Sequence, residues 1–180
     1  MKKLVCIFSA FLLISTACST QKNFKWNKEA NQKAKQLGLS KDKVKILASL
    51  VEKETKVTEE KPKIARVYLN RLNKDMYLQS DPSVLFAVGD PNLKRILKSH
   101  LETDSPYNTY KNKGLPPGPI CEPGKESISA VLNAAPGNYL YFCAKPDFSG
   151  GFNYAETMRE HMENVKLLTK AMGQGKVRQE

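Results

Sequence analysis

The segment Lys41–Glu54 constrains the fold most strongly, because it predicts a helix with an unusually broad apolar side. At about 100° per residue, its apolar side chains sweep one continuous arc of the helix surface. They are Val44, Ile46, Leu47, Ala48, Leu50 and Val51. Ser40 stands directly before the segment and is a residue type that caps helix N-termini. The pattern therefore predicts a helix that begins after Ser40 and turns its broad apolar side to the core.

The rest of the chain predicts an α+β fold, an α-rich single domain with a small β-sheet. Further helices are expected at 27–37, 62–72, 81–88, 91–97, 125–134 and 155–172. The run 139–143 is rich in strand formers, and a second strand at 152–154 would pair with it across a turn. Residues 103–124 hold five prolines and three glycines, which predicts a loop. The last helix carries an apolar stripe that is expected to pack in the core: Ala155, Met158, Met162, Val165 and Met172.

The N-terminus has the layout of a secretory signal. Two lysines precede an apolar run at 4–14, and small residues at 15–17 lead to Cys18. The apolar run has 11 residues, well below the roughly 20 that a permanent transmembrane helix needs. A cysteine at this place resembles the lipobox of bacterial lipoproteins, in which the cysteine is lipidated. We therefore expect a lipoprotein anchored to the membrane through Cys18, with an uncleaved N-terminal anchor or plain secretion as the alternatives.

The net charge of +11, from 29 basic and 18 acidic residues, limits the kinds of partner that the protein is expected to bind. On an exported protein, such a surface favours acidic wall polymer, phospholipid head groups or lipopolysaccharide. An ordinary lysine-rich solvated surface is an equally open interpretation. Nucleic acid is disfavoured as a partner, both by the predicted export and because arginine and aromatic residues do not interleave.

The cysteines and histidines do not form a recognisable ligand set. Cys6 lies in the predicted signal, which leaves Cys121 and Cys143 as a pair that an exported protein can oxidise. A disulfide and two separate buried thiols are both open. His100 and His161 are the only histidines, and neither has ligand spacing with a cysteine. We therefore expect no metal site and no cofactor.

Glu54 contradicts the polarity of its helix, because it falls near the middle of the apolar arc, one turn beyond Leu50, whereas Glu52 projects to the opposite edge. A carboxyl group that continues a buried stripe is partly desolvated. Desolvation raises a carboxyl pKa toward the range in which Glu donates a proton near neutral pH. Alternatively, the helix frays after Val51 and Glu54 reaches solvent or pairs with Lys61. The helical wheel alone leaves both interpretations open.

Six segments of the chain resemble, in order and spacing, the successive signatures of the endolytic murein transglycosylases, the YceG-like or MltG family. They are 47–55 (LASLVEKET), 68–72 (YLNRL), 78–82 (LQSDP), 105–110 (SPYNTY), 114–120 (GLPPGPI) and 139–142 (YLYF). The resemblance covers about residues 41–170. Together with the N-terminal signal, it divides the chain into a signal peptide at 1–17, an anchor or linker with the first helix at 18–40, a YceG-like catalytic domain at 41–172 and a C-terminal tail at 173–180.

The resemblance implies lytic cleavage of the β-1,4 bond between N-acetylmuramic acid and N-acetylglucosamine, within a glycan strand of peptidoglycan. The muramyl 6-hydroxyl closes on the anomeric carbon, so the product ends in 1,6-anhydro-N-acetylmuramic acid and no water enters. One carboxyl group can protonate the leaving oxygen and then accept the proton of the hydroxyl. The family's catalytic Glu is the second of its Glu-Lys-Glu triplet, which maps to Glu54 here. The helical wheel singles out the same residue.

Six further residues are candidates for substrate binding, since amide, carboxyl and aromatic side chains suit a saccharide cleft. They are Gln79, Asp81, Tyr107, Asn108, Tyr110 and Asn153. For each of them, capping a turn or bracing the proline-rich loop is an equally open role. Asp81 would also supply the second carboxylate of an ordinary hydrolase if it lay about 5–9 Å from Glu54. A lipoprotein that binds glycan without cutting it is the other alternative.

The chain departs from the family pattern at two places. Members usually carry a transmembrane helix and a LysM-like domain before the catalytic domain, where this chain has about 22 residues, 19–40. Many members also have a His near the segment 150–153, which here is Gly-Gly-Phe-Asn. We expect activity to survive, because Glu54 can perform both proton transfers. The expected location is the bacterial cell envelope, facing the periplasm or the cell exterior, with peptidoglycan strands, the membrane and cell-wall synthesis proteins as candidate partners.

Overall fold

Seven helices and a two-stranded antiparallel sheet make up the part of the chain that the computed structural model describes, residues 24–90, 93 and 96–177. The elements are α1 (Lys28–Gln36), α2 (Lys41–Glu54), α3 (Lys61–Asn73), α4 (Asp81–Val88), α5 (Lys98–Leu101), α6 (Lys125–Leu132), β1 (Tyr141–Ala144), β2 (Phe152–Ala155) and α7 (Met158–Val177). This is the α-rich α+β domain that the sequence predicts. No helix of this described part is long and apolar enough to cross a bilayer. The predicted signal at 1–17 and the predicted lipid site, Cys18, lie outside it.

Helix α2 lies at the centre of the core, because its broad apolar side needs cover from several directions. It packs against α1, α3, α4 and α6, and every residue of the predicted apolar arc is buried. Ser40 caps the helix as predicted, since its Oγ accepts the backbone N–H of Lys43 at 3.2 Å. Each large apolar side chain that is fully buried contributes roughly 1.5–3 kcal/mol. The burial of this one helix therefore fixes the positions of its neighbours.

The two-stranded sheet joins the last helix to the helical core. β1 and β2 pair in a register that places Phe142 opposite Tyr154, and side chains alternate between the two faces of a sheet. The ring of Phe142 lies edge-on to that of Tyr68 on α3, with 6.2 Å between the ring centroids. Tyr141, on the other face, stacks on His161 of α7. The sheet is therefore sandwiched between the core and α7.

The proline-rich segment 103–124 contains no helix or strand, as predicted, yet hydrogen bonds tie it to the core. Thr109 is buried, and its Oγ1 accepts the backbone N–H of Ser80 at 2.9 Å. Further along, the backbone N–H of Ile120 donates to Ser49 Oγ at 3.0 Å. The loop thus fastens the turn before α4 to the side of α2.

The predicted helix at 91–97 is wrong where the structure describes it. Ile96 and Leu97 are not helical, and a helix begins only at Lys98. The backbone of Leu97 is extended, with φ −105° and ψ 164°, and its N–H donates to His100 Nδ1 at 3.1 Å. This cap starts the helix later than the proline signal suggests. Residues 91, 92, 94 and 95 lie outside the described part.

The prediction that the methionines of the last helix belong to the core is also wrong. Met158, Met162 and Met172 are 54, 52 and 56% exposed. Helix α7 packs on a sheet of only two strands, which covers a narrow stripe, and the partly buried side of the helix runs through His161 instead. The helix also continues to Val177, into the predicted C-terminal tail.

Cys121 and Cys143 are both free and partly buried. Of the two open alternatives, the structure therefore has separate thiols. Burial raises the pKa of each thiol above its usual value. Because the thiolate is the reactive form, burial lowers the reactivity of both cysteines.

Candidate active site

A cleft of about 230 Å³ opens beside the C-terminal end of α2. Its walls come from α2, α3, the turn before α4, the proline-rich loop, β1 and α7. The lining residues are Glu54, Arg71, Leu78, Gln79, Asp81, Tyr110, Phe142 and His161. The structure therefore brings together four of the residues that the sequence proposes for the site: Glu54, Gln79, Asp81 and Tyr110.

Glu54, the last residue of α2, is held by two hydroxyl groups that donate to the same carboxyl oxygen. Tyr68 of α3 donates its O–H to Glu54 Oε1 in a short hydrogen bond. Ser80 donates its Oγ–H to the same oxygen at 2.8 Å. Among the described residues, none donates to Oε2. The carboxyl group is therefore fixed through one oxygen and presents the other to the cleft.

The pKa of Glu54 is raised above its usual value, chiefly because burial disfavours the ionised form. The hydrogen bonds from Tyr68 and Ser80 oppose this shift, the negative charge of Asp81 adds to it, and the positive charge of Arg71 opposes it. Desolvation prevails over the donors. A larger fraction of Glu54 is therefore protonated near neutral pH than of an ordinary Glu, as a general acid requires.

The second carboxyl group at the end of α2, that of Glu52, has a different environment. Its Oε2 accepts Lys61 Nζ at 3.0 Å and the Oγ–H of Ser127 on α6 in a short hydrogen bond. Lys61 thus pairs with Glu52 and not with Glu54. The helix end therefore does not fray after Val51. Helix α2 remains helical through Glu54 and carries that residue into the cleft.

Gln79 adopts a backbone conformation that non-glycine residues rarely take, with φ 52°. Two contacts hold it there. Its backbone N–H donates to the carbonyl of Thr109 at 3.1 Å, and its Oε1 accepts Arg71 Nη1 at 3.2 Å. Such conformations cost about 1–3 kcal/mol and persist where the surroundings determine them. Here the turn places Leu78, Gln79 and Asp81 along one wall of the cleft.

Asp81 and Tyr110 form a hydrogen-bonded pair at the rim of the cleft. The Tyr110 O–H donates to Asp81 Oδ1 at 2.5 Å. Burial, together with this bond to a carboxylate, raises the pKa of Tyr110 well above its usual value, so its hydroxyl stays protonated. The pair presents polar groups that suit sugar hydroxyls.

Three residues proposed for substrate binding do not line the cleft: Tyr107, Asn108 and Asn153. Tyr107 packs against Phe86, with 4.7 Å between the ring centroids. Asn108 is fully buried, and its Nδ2 donates to the carbonyls of Leu101 and Thr103, each at 2.8 Å. For these two residues the structure favours the role of bracing the loop. Asn153 shares the sheet face of Cys143, and its part in binding stays a prediction.

Four polar residues of the site were not proposed for it from the sequence: Tyr68, Ser80, Arg71 and His161. The first three lie inside family-like segments, which is a signal that they matter, but their roles depend on contacts between elements. Arg71 is 8% exposed and donates to the carbonyls of Tyr77, Leu78 and Leu140.

Within the described part of the chain, no group of three or more His, Cys, Asp or Glu side chains is placed to hold a metal ion.

Comparisons with known proteins place these features in a family. The model of the YceG-like family matches residues 10–167. The endolytic murein transglycosylase of Bacillus subtilis is 46% identical over 123 residues, which cover 68% of this chain and 33% of that protein. The endolytic murein transglycosylase of Streptococcus pneumoniae is 39% identical over 135 residues, which cover 73% of this chain and 24% of that protein. The chain thus spans a third or less of the length of these curated relatives.

A solved structure agrees with these matches. The crystal structure of a YceG-like protein from Listeria monocytogenes aligns with a TM-score of 0.68 at 40% sequence identity, covering 75% of this chain and 43% of that one. The family model includes every residue that lines the cleft, from Glu54 to His161. On the strength of both matches, the chain belongs to the YceG-like family.

Proposed function

We propose that the chain is an endolytic lytic transglycosylase that cuts the glycan strands of peptidoglycan, with Glu54 as its single general acid and base. The bond cut is the β-1,4 bond between N-acetylmuramic acid and N-acetylglucosamine. The observation that carries the proposal is the state of Glu54: a desolvated carboxyl group with a raised pKa, fixed through Oε1, in the wall of the cleft. The names of the relatives from Bacillus subtilis and Streptococcus pneumoniae support the same activity.

The reaction follows from the two oxygens of Glu54. Because Oε1 already accepts two hydrogen bonds, the acidic proton resides on Oε2. In the first half, Oε2 donates this proton to the glycosidic oxygen as the bond to the anomeric carbon breaks. In the second half, the muramyl 6-hydroxyl oxygen bonds to the anomeric carbon and gives its proton back to Oε2. The products are a 1,6-anhydro-muramyl end and a free 4-hydroxyl, and the enzyme returns to its starting protonation state.

A hydrolase is the second candidate, because Asp81 shares the cleft with Glu54 and its charge acts on the pKa of Glu54. In that mechanism Asp81 would act as a nucleophile or activate water, as in glycosidases with two carboxyl groups. Its engagement by Tyr110 argues against this role, since Oδ1 already accepts a hydrogen bond at 2.5 Å. A protein that binds glycan without cutting it is the third candidate.

Product analysis separates the three candidates. Purified protein is incubated with intact peptidoglycan, and the soluble fragments are analysed by mass spectrometry. The expected products are fragments with anhydro-muramyl ends, formed by cuts within the strands. Fragments with reducing muramyl ends, which are heavier than anhydro ends by one water, would show that the enzyme is a hydrolase. Bound but uncut strands would leave only the binding function.

The Tyr68→Phe variant tests how Glu54 is held. The change removes one of the two donors to Oε1 and leaves the ring in the core. We expect kcat to fall roughly tenfold, the effect of one hydrogen bond to a charged group. The donor stabilises the ionised carboxylate, so its loss raises the pKa of Glu54 further, and the alkaline limb of the pH–rate profile moves to higher pH. Tyr139→Phe, which changes a tyrosine outside the cleft, is the control and should leave the profile unchanged; a shift in both variants, or in neither, contradicts the role of Tyr68.

We also propose that the protein is held in the bacterial cell envelope as a lipoprotein through Cys18, where peptidoglycan strands and cell-wall synthesis proteins are within reach. Fractionation of cells that express the full chain tests the anchor. The wild-type protein is expected in the membrane fraction and the Cys18→Ser variant in the soluble one. Retention of both forms in the membrane would indicate an uncleaved N-terminal anchor, and release of both would indicate plain secretion.

A further inference from the structure

His161 occupies the wall of the cleft that α7 contributes. Its ring stacks on that of Tyr141, with 5.2 Å between the centroids and 20° between the planes. Arg71 lies over the same tyrosine ring, with its Cζ 5.3 Å from the centroid. The stacking fixes the plane of the imidazole, and with it the directions in which its two nitrogens can form hydrogen bonds.

The Nδ1 atom of His161 is buried and has no hydrogen-bond partner, and it is the only side-chain nitrogen or oxygen atom in the described part of the chain of which this is true. Buried polar groups are nearly always paired, and an unpaired one costs about 1–3 kcal/mol. His161 also lines the cleft that contains Glu54, so a ligand held there is a candidate partner for the unpaired nitrogen.

The charge state of His161 fits this explanation. Burial lowers the pKa of the imidazole, and the positive charge of Arg71 lowers it further. The ring is therefore neutral near pH 7, with one nitrogen that donates and one that accepts. Arg71, unlike His161 Nδ1, already has hydrogen-bond partners in the cleft wall. Its guanidinium donates to backbone carbonyls and to Gln79.

We propose that His161 is a substrate-binding residue whose Nδ1 forms a hydrogen bond with a hydroxyl or N-acetyl group of an N-acetylhexosamine unit held in the cleft. The proposal rests on the proposed function, because it takes the ligand to be a glycan strand. No bond is made or broken at His161. Its contribution is to position the strand from the wall of the cleft that α7 supplies.

Binding measurements in the Glu54→Gln background test this contact without turnover. The probe is glycan strands prepared from peptidoglycan whose stem peptides an amidase has removed, and the affinity is measured by calorimetry. His161→Phe keeps the stacking on Tyr141 but has no nitrogen, whereas His161→Asn places an amide near the position of Nδ1. We expect the Phe variant to bind roughly tenfold more weakly and the Asn variant to recover most of that loss. Equal melting temperatures of the three proteins would exclude a fold defect.

The outcomes separate this contact from the proposed function. Full affinity in His161→Phe, or an Asn variant as weak as the Phe variant, overturns the contact and leaves the function standing. Failure of the parent Glu54→Gln protein to bind any strands overturns both. NMR of the ring nitrogens provides a second readout. The chain has only two histidines, so the ¹⁵N signals of His161 are those missing from the spectrum of His161→Asn. We expect these signals to shift when strands are added.

Discussion

The Glu54→Gln variant is expected to form anhydro-muramyl ends at least roughly 10³-fold more slowly than the wild type, because in the proposed mechanism one residue supplies both proton transfers and each such contribution is large. The amide keeps the shape of the side chain, and its oxygen can still accept from Tyr68 and Ser80 in place of Oε1. It has no acidic proton for the leaving oxygen and no basic oxygen for the 6-hydroxyl. The measurement is the rate of appearance of anhydro ends from intact peptidoglycan, by mass spectrometry.

Stability distinguishes a catalytic loss from misfolding in this variant. The folded-state pKa of Glu54 is raised, so its contribution to stability is complete below the unfolded-state pKa, near 4.5, and is lost as pH rises through the folded-state value. An amide cannot ionise, so Glu54→Gln should raise the melting temperature at pH 7 and show a smaller gain at pH 4. Glu52→Gln, on the same helix, should keep its activity. Activity that survives in Glu54→Gln but not in Glu52→Gln would reverse the assignment.

Glu52→Ala is expected to lower the free energy of unfolding by about 2 kcal/mol. Removing one partner of a buried ion pair costs about 3–5 kcal/mol because the other charge remains buried, and Glu52 is partly exposed, with 28% of its side chain accessible. Lys61 is 5% exposed, and Ser127 would lose its acceptor as well. Urea denaturation at pH 7 measures the difference.

An exposed ion pair of the same chain is the matched control. Glu29 pairs with Lys33 at 2.7 Å on the surface of α1, and such pairs contribute little because water and salt screen them. Glu29→Ala should therefore be nearly as stable as the wild type.

The effect of Glu52→Ala should also depend on pH. Burial works to raise the pKa of Glu52, but the hydrogen bonds from Ser127 and Lys61 prevail and lower it. The stability that Glu52 supplies is thus present above about pH 4.5 and is lost as pH falls, so the effect of Glu52→Ala should shrink in acid.

Local chemistry explains why parts of the fold were predictable. The helices Lys41–Glu54 and Asp81–Val88 have the predicted bounds, because a capping serine and an early proline mark their starts. The same reasoning failed for Met158, Met162 and Met172, since an apolar stripe does not reveal how much surface will cover it. A two-stranded sheet covers too little of α7 to bury them.

The candidate site was predictable where one residue contradicted its own helix, and unpredictable where its neighbours come from other elements. Glu54 stood out because a carboxyl group continues an apolar arc. Tyr68, Ser80 and His161 contradict nothing in their own segments, and they matter through partners that are distant in the sequence, such as Glu54 and Tyr141. Contacts of this kind depend on how helices pack, which periodicity does not encode.

The bond between Thr109 and Ser80 fixes one of the two residues that orient Glu54. Ser80 is fully buried, its backbone is fixed by the proline-rich loop, and its hydroxyl stands 2.8 Å from Oε1, so these contacts lie entirely within the chain. Because these contacts are all made within the chain, the orientation of Glu54 does not require a ligand. Enzymes that assemble their catalytic group only after a lid closes can refuse a wrong polymer by failing to close. Under the proposed function, the acid is oriented for any strand that enters, and discrimination among polymers falls to the residues that line the cleft.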